Sequence, residues 1–270
     1  MRYADLNEPF AVSQEQIDFY RANGFVKIKN VLSPETLSYY GKEITEKVIE
    51  LNPRTQPLEE RSTYHRAFIQ ITNLWKKSAL TKEFVLGKRL GQIAADLMQV
   101  SGARLYHDQA LYKESGGGFT PWHADQQYWP LATEKCVTAW VPLQETPVEM
   151  GALSFAAKSQ NFEYGRDLPI SDESEEKLQK ALGEANFENI AEPYEFGEVS
   201  FHAGWTYHRA GPNNTSTPRA VMTVIYMDEN MRLAKPANKN QEVDRDVFCP
   251  GAEVGEIIKS SENPLIFSHN

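Results

Sequence analysis

The chain has 270 residues, of which 41% are hydrophobic and 24% charged, and a formal net charge of -9. That length allows one elaborated domain or two small ones, and the composition excludes disordered, collagen-like and low-complexity chains. The acidity argues against a nucleic-acid surface, no apolar run is long enough to span a bilayer, and the first residues lack the apolar core of a secretory signal.

The first third reads as helical. Ser13 caps a helix over "SQEQIDFYRANG", with Gln16 placed for a capping box and Gly24 as the stop. A short strand, "FVKIKNVL", follows. Ser33 and Pro34 open a second helix whose apolar residues Leu37, Tyr40, Ile44, Val48 and Leu51 recur at helical spacing. Another helix, near "GKRLGQIAADLMQV", ends before Gly102. Beyond Gly102 come short segments rich in β-branched and aromatic residues: "ARLYHDQALYK", "CVTAWVPL", "GALSFAA", "EVSFHAGW" and "RAVMTVIYM". Several are apolar at successive positions, which predicts strands covered on both faces. The acidic stretch "SDESEEKLQKALGEANFEN" reads as a helix with a solvated face. The expected organisation is one domain over 1–270. Within it, 1–102 is mainly helical support, 103–230 an antiparallel β-sandwich with a helical insertion near 171–185, and 231–270 a C-terminal extension.

Chemistry concentrates in "PWHADQQYWP". If residues 121–128 are extended, His123 and Asp125 project to the same side and can share one ion. A second histidine is available downstream in "GEVSFHAGWTYHRAGPNNTSTPRAVMTVIYM", either His202 or His208, and Arg219 opens the last strand. Two histidines and one carboxylate make the facial triad of non-haem iron oxygenases, and an arginine nearby supplies a clamp for a carboxylate. His107 and Asp108 are adjacent on a strand, face opposite ways and make a poor chelating pair. His65 and His269 read as ordinary exposed residues, and Lys113 as a surface residue at the lip of a glycine-rich hairpin, 116–118. Cys136 and Cys249 build neither a disulfide framework nor a zinc site, which makes a reducing cytoplasm the expected compartment.

Three segments, "LYKESGGGFTPWHADQQYWPL", "VTAWVPLQETPVEMGALSF" and "SFHAGWTYHRAGPNNTSTPRAVMTVIYM", together resemble the phytanoyl-CoA dioxygenase family of Fe(II)/2-oxoglutarate-dependent oxygenases. The likeness runs from about residue 10 to 268. It implies a mixed α+β fold with a mainly β core: a double-stranded β-helix (jelly-roll, cupin-like) with the N-terminal helices packed on one sheet. It implies His123, Asp125 and His208 as catalytic metal ligands, the eleven-residue step to Arg219 selecting His208 over His202. Arg219, Trp140, Gln109 and Gln70 fall at cosubstrate-binding positions, although core packing accounts for Trp140 equally well. Fe(II), 2-oxoglutarate and O2 are the implied cofactors, with ascorbate a helpful additive in vitro. The implied reaction is hydroxylation of a small-molecule substrate, with no nucleic-acid or membrane partner. Asp125 argues against halogenation, because halogenating relatives carry a small residue there. Ala210 stands where many relatives have a serine, which removes one hydrogen bond to 2-oxoglutarate. "AAKSQ", 156–160, replaces a Pro-Gly-Ser-His loop. The rival readings are a zinc hydrolase on the same ligands and a non-catalytic jelly-roll binding module. Neither substrate nor oligomeric state is encoded in a readable way.

Overall fold

The computed structural model describes residues 3–54 and 56–269. Helix α1 (Gln14–Asn23) starts with Ser13 accepting from the Gln16 amide while the Gln16 side chain accepts from the Ser13 amide, and it ends at Gly24. Glycine is required there on two counts. Its φ is +80°, and a Cβ would lie 2.4 Å from Thr206 Oγ1. Strand β1 (Phe25–Ile28) leads to α2 (Pro34–Leu51), which buries the predicted stripe of Leu37, Tyr40, Ile44 and Val48. Then come α3 (Thr63–Ala67), β2 (Ile69–Thr72), α4 (Ala79–Val85) and α5 (Lys88–Met98). The central part runs β3 (Gly102–Lys113), β4 (Thr120–His123), β5 (Cys136–Pro142), β6 (Leu153–Ala156), α6 (Asp172–Glu184), β7 (Asn189–Ala191), β8 (Val199–Ala203), β9 (His208–Ala210) and β10 (Arg219–Asp228). The chain closes with α7 (Lys239–Phe248) and β11 (Leu265–Ser268).

Two antiparallel sheets make a jelly roll. The larger has the order β1-β8-β5-β10-β3-β11, with β2 also paired to β3, and the smaller has the order β4-β9-β6-β7. Strand alternation then sorts the side chains. On the outer face of the large sheet, Val137, Ala139 and Val141 of β5, Val224 and Met222 of β10 and Phe201 of β8 pack against α2, α4 and α5. On the inner face stand Thr138 and Trp140 of β5, His202 of β8, Arg219, Thr223 and Ile225 of β10, and His107, Gln109, Leu111 and Lys113 of β3. Every residue of β5 is buried. Its unbroken apolar run therefore reflects two covered faces, as the sequence suggests.

The structure corrects two expectations. The 121–128 segment is extended only as far as Ala124, its strand pairing ends at His123, and Asp125 opens a short 3-10 helix over Asp125–Tyr128. The glycine-rich turn is not a hairpin, because β3 and β4 lie in different sheets; the Gly116 amide bonds Asn213 and the Gly118 amide bonds Arg66. The helical support of 1–102 also donates β1 and β2 to the large sheet, while 231–270 donates β11 and lays α7 against the Asp125–Tyr128 turn. The acidic helix α6 has the expected solvated face, and its opposite face buries Glu175, which accepts from the Trp122 amide at 2.6 Å and pairs with Arg209 at 2.8 Å.

Candidate metal centre

Strand pairing explains how residues 85 apart in sequence meet. His123 on β4 and His208 on β9 are direct cross-strand partners. Each imidazole turns Nδ1 to a backbone carbonyl, His123 to Pro121 at 2.8 Å and His208 to Thr206 at 3.0 Å. A carbonyl accepts only, so the proton sits on Nδ1 and the Nε2 lone pairs are left to converge. Asp125 Oδ1 is 3.6 Å from both Nε2 atoms, and the ligand atoms of the three residues all lie within 4.8 Å of one another.

The second carboxylate oxygen is held separately. Asp125 Oδ2 accepts from Thr138 Oγ1 at 3.0 Å and lies 3.2 Å from His202 Nε2. Thr138 and His202 are themselves register partners on β5 and β8. His202, the rival histidine of the sequence, therefore sits behind the carboxylate, whereas His208 faces His123 across it. Burial pushes His123 and His208 down to about 4, with His208 adding to the effect at His123. Burial alone would raise the Asp125 carboxyl, but the imidazoles of His208, His202 and His123 outweigh it and hold the carboxyl far below its ordinary value. Neutral imidazoles beside an ionised carboxylate are the protonation states that a divalent cation requires.

These residues line a cavity of about 550 Å³. At one end Arg219, 2% exposed, donates to the Gly151 carbonyl and stacks over Trp140 at 5.4 Å, while its Nε has no partner. Gly151 must be glycine here: its φ is +83° and a Cβ would lie 2.6 Å from the Gly211 carbonyl. Lys113, read from the sequence as a surface residue, is fully buried and is the register partner of Arg219. Its ammonium donates to the Gly118 carbonyl and lies 3.4 Å from Thr120 Oγ1. Burial, and then the charge of Arg219, push Lys113 down to about 6. Neither basic side chain has a carboxylate partner among the described residues. Buried basic groups without a counter-ion are costly to keep charged, and an anion completing the site would stabilise Arg219 and favour the protonated form of Lys113.

The other candidates fall on the cavity wall. Gln70 donates to Gln109, Tyr64 donates to Gln70 at 2.8 Å, and all three line the cavity. Trp140, Ala210, Tyr128 and Trp129 line it too, whereas Tyr207 is buried elsewhere, bonded to the Tyr164 carbonyl. His65 and His269 are exposed, and His269 pairs with Asp96 at 3.0 Å. Asp108 faces away from the cavity and accepts from the Leu74 amide at 2.9 Å. Sequence reasoning missed Thr120, His107 and Asp244 as cavity residues. Strand parity could have found His107 and Lys113, which share a face with Gln109; nothing local marks Asp244.

Comparison with known proteins agrees with this geometry. The sequence profile of the family described as phytanoyl-CoA dioxygenase (PhyH) matches residues 20–221. A curated relative from Stutzerimonas stutzeri, a probable alpha-ketoglutarate-dependent hypophosphite dioxygenase, is 23% identical over 130 residues, 46% of this chain and 44% of the relative. The chain thus spans less than half the length of that relative. The non-heme alpha-ketoglutarate-dependent carbocyclase SnoK from nogalamycin biosynthesis superposes with a TM-score of 0.76 at 24% identity, covering 97% of this chain and 100% of SnoK. EctD from S. alaskensis, crystallised with 2-oxoglutarate and 5-hydroxyectoine, gives 0.71 at 17% identity, covering 93% and 89%. At these identities the likeness establishes the jelly-roll fold. No helix among the described residues is long and apolar enough to cross a membrane.

Proposed function

The chain belongs to the phytanoyl-CoA dioxygenase family, and from that premise we propose that it is an Fe(II)- and 2-oxoglutarate-dependent dioxygenase hydroxylating an unactivated C–H of a small molecule. The observation that carries this reading is the pairing of a converging His-Asp-His set with a buried guanidinium and a buried lysine that lack an anion. A zinc hydrolase would use the first and leave the second without a purpose.

In this reading His123, Asp125 and His208 hold the metal, two neutral imidazoles and one carboxylate matching a non-haem iron donor set. Iron and 2-oxoglutarate together supply the oxidising chemistry, O2 being consumed as 2-oxoglutarate becomes succinate and CO2 and the substrate C–H becomes C–OH. Thr138 and His202 fix Asp125 so that Oδ1 addresses both imidazoles. Arg219 grips the far carboxylate of 2-oxoglutarate, and Lys113, its proton restored by that anion, adds positive potential behind it. Trp140 holds the guanidinium plane, while Gln109 and Gln70 form the polar wall beside the cosubstrate. Thr120 lies directly across the strand pair from Ala210. Its hydroxyl takes over the hydrogen bond that a serine at 210 would make. Leu111 and Leu153 keep water from this end.

The test is succinate formation from 2-oxoglutarate with Fe(II), ascorbate and a panel of small molecules. Wild type should release succinate, and Asp125→Ala should lose at least about 100-fold of that rate. Zinc-supported hydrolysis with no succinate from any metal would refute the proposal.

A further inference from the structure

The cavity continues past the metal centre. His202, Thr138, Ile225 and His107 form one inward row across β8, β5, β10 and β3. The triad carboxylate sits at the Thr138 and His202 side of that row. His107 stands two strands from Thr138, about 10 Å away. There α7 covers the chamber, with Phe248 stacked on the His107 ring at 4.0 Å.

Three features of this chamber are unused by the reaction described above. First, neither ring nitrogen of His107 makes a hydrogen bond of acceptable geometry, although the side chain is buried. Such a polar group is costly to bury unless a ligand supplies its partner. Second, Asp244 lines the cavity from α7. Its Oδ2 accepts from the Tyr106 hydroxyl, its other oxygen has no partner among the described residues, and burial pushes the carboxyl up to about 7. Third, Val243 and Val247, one turn apart on α7, line the cavity while 54% and 46% exposed. Among the described residues no lysine or arginine lines this half, and the one arginine of the cavity wall is Arg219, at the cosubstrate end.

We infer that this chamber is a subsite for an apolar molecule carrying an amine, with Asp244 as its counter-ion, and that it turns away carboxylates of the same shape. The inference rests on the oxygenase reading, which makes the chamber the place where substrate meets the metal centre. An ammonium group on the substrate meets a half-buried carboxylate with a free oxygen and forms a charge-assisted hydrogen bond with it. An anionic substrate meets Asp244 and finds no lysine or arginine in this half of the described cavity wall. The apolar body covers Val243, Val247 and Phe248.

Calorimetry with three probes of one skeleton tests this: aminoadamantane, adamantanol and adamantane carboxylate, each titrated into protein preloaded with Mn(II) and 2-oxoglutarate. Loading is followed in its own titration, so a failure of the cosubstrate reading shows there and not in the probe series. Wild type should bind the amine at least about tenfold more tightly than the carboxylate. Asp244→Asn should bring the amine to the level of the alcohol. Val247→Lys, a change at an exposed position that the fold tolerates, should weaken the amine and strengthen the carboxylate. Equal or tighter carboxylate binding by wild type, an amine preference that survives Asp244→Asn, or no binding by any probe would each overturn the inference.

Discussion

Replacing Thr138 by valine removes one hydroxyl and keeps the side-chain shape. That hydroxyl donates to Asp125 Oδ2 at 3.0 Å, and Thr138 is 4% exposed, so water does not replace it easily. A hydrogen bond to a charged group contributes about 1.5–3 kcal/mol, so the apoprotein should lose stability of that order. The second effect is on the metal. With the Thr138 bond gone, only His202 at 3.2 Å restrains the carboxylate, which can then turn Oδ1 away from the two imidazoles. Loss of an outer partner of this kind typically weakens metal binding roughly 10- to 100-fold. Mn(II), which takes the same nitrogen and oxygen ligands without reacting with O2, allows calorimetric titration of wild type, Thr138→Val and Thr138→Ser. The serine variant keeps the hydroxyl and should bind close to wild type. If Thr138→Val binds Mn(II) within about threefold of wild type, well under the expected loss, the orientation of Asp125 does not depend on this bond.

Lys113→Met keeps the aliphatic stem but removes the second buried basic group; the 2-oxoglutarate dissociation constant should rise about tenfold with little change in turnover at saturation, measured by succinate kinetics. Thr120→Val should weaken 2-oxoglutarate several-fold, and Ala210→Ser in the same chain should restore it, since the two positions face each other across β4 and β9; failure of the rescue in a binding titration removes the hydroxyl exchange. His123 and His208 titrate in the folded chain near 4, below the unfolded value of about 6.5. The unfolded state binds more protons between these values, so apoprotein stability should fall as pH drops from 6.5 towards 4, by up to about 1.4 kcal/mol per pH unit for each histidine. Urea midpoints should show a shallower slope in His208→Asn, and an unchanged slope would contradict the buried neutral state of that imidazole.

Much of the scaffold is legible locally because the relevant forces act within a few residues. The capping box of Ser13 and Gln16, the stop at Gly24 and the proline start of α2 depend on hydrogen bonds and torsions that neighbouring residues decide. The covered strands announce themselves as unbroken apolar runs. The spacing of His123, Asp125, His208 and Arg219 marks a candidate metal and anion site in sequence because few other arrangements need those side chains together. The i, i+2 argument for His123 and Asp125 reaches the right neighbours by an incomplete route, since the strand stops at His123 and the following turn carries the carboxylate.

What the linear chain leaves open is which faces meet and how dry the space between them becomes. A lysine at a glycine-rich turn looks solvated until β10 lays Arg219 beside it, and only then is it a buried amine whose proton an anion would stabilise. His202 and His208 are equivalent ligands by type; pairing with β5 puts one behind Asp125, and pairing with β4 puts the other before it. Asp244 joins the chamber because α7 folds back across the sheet from far along the chain. Propensity and spacing are properties of short segments and can be read in order. Burial, charge balance and cavity shape arise from contacts between segments distant in sequence, so tertiary packing alone decides them.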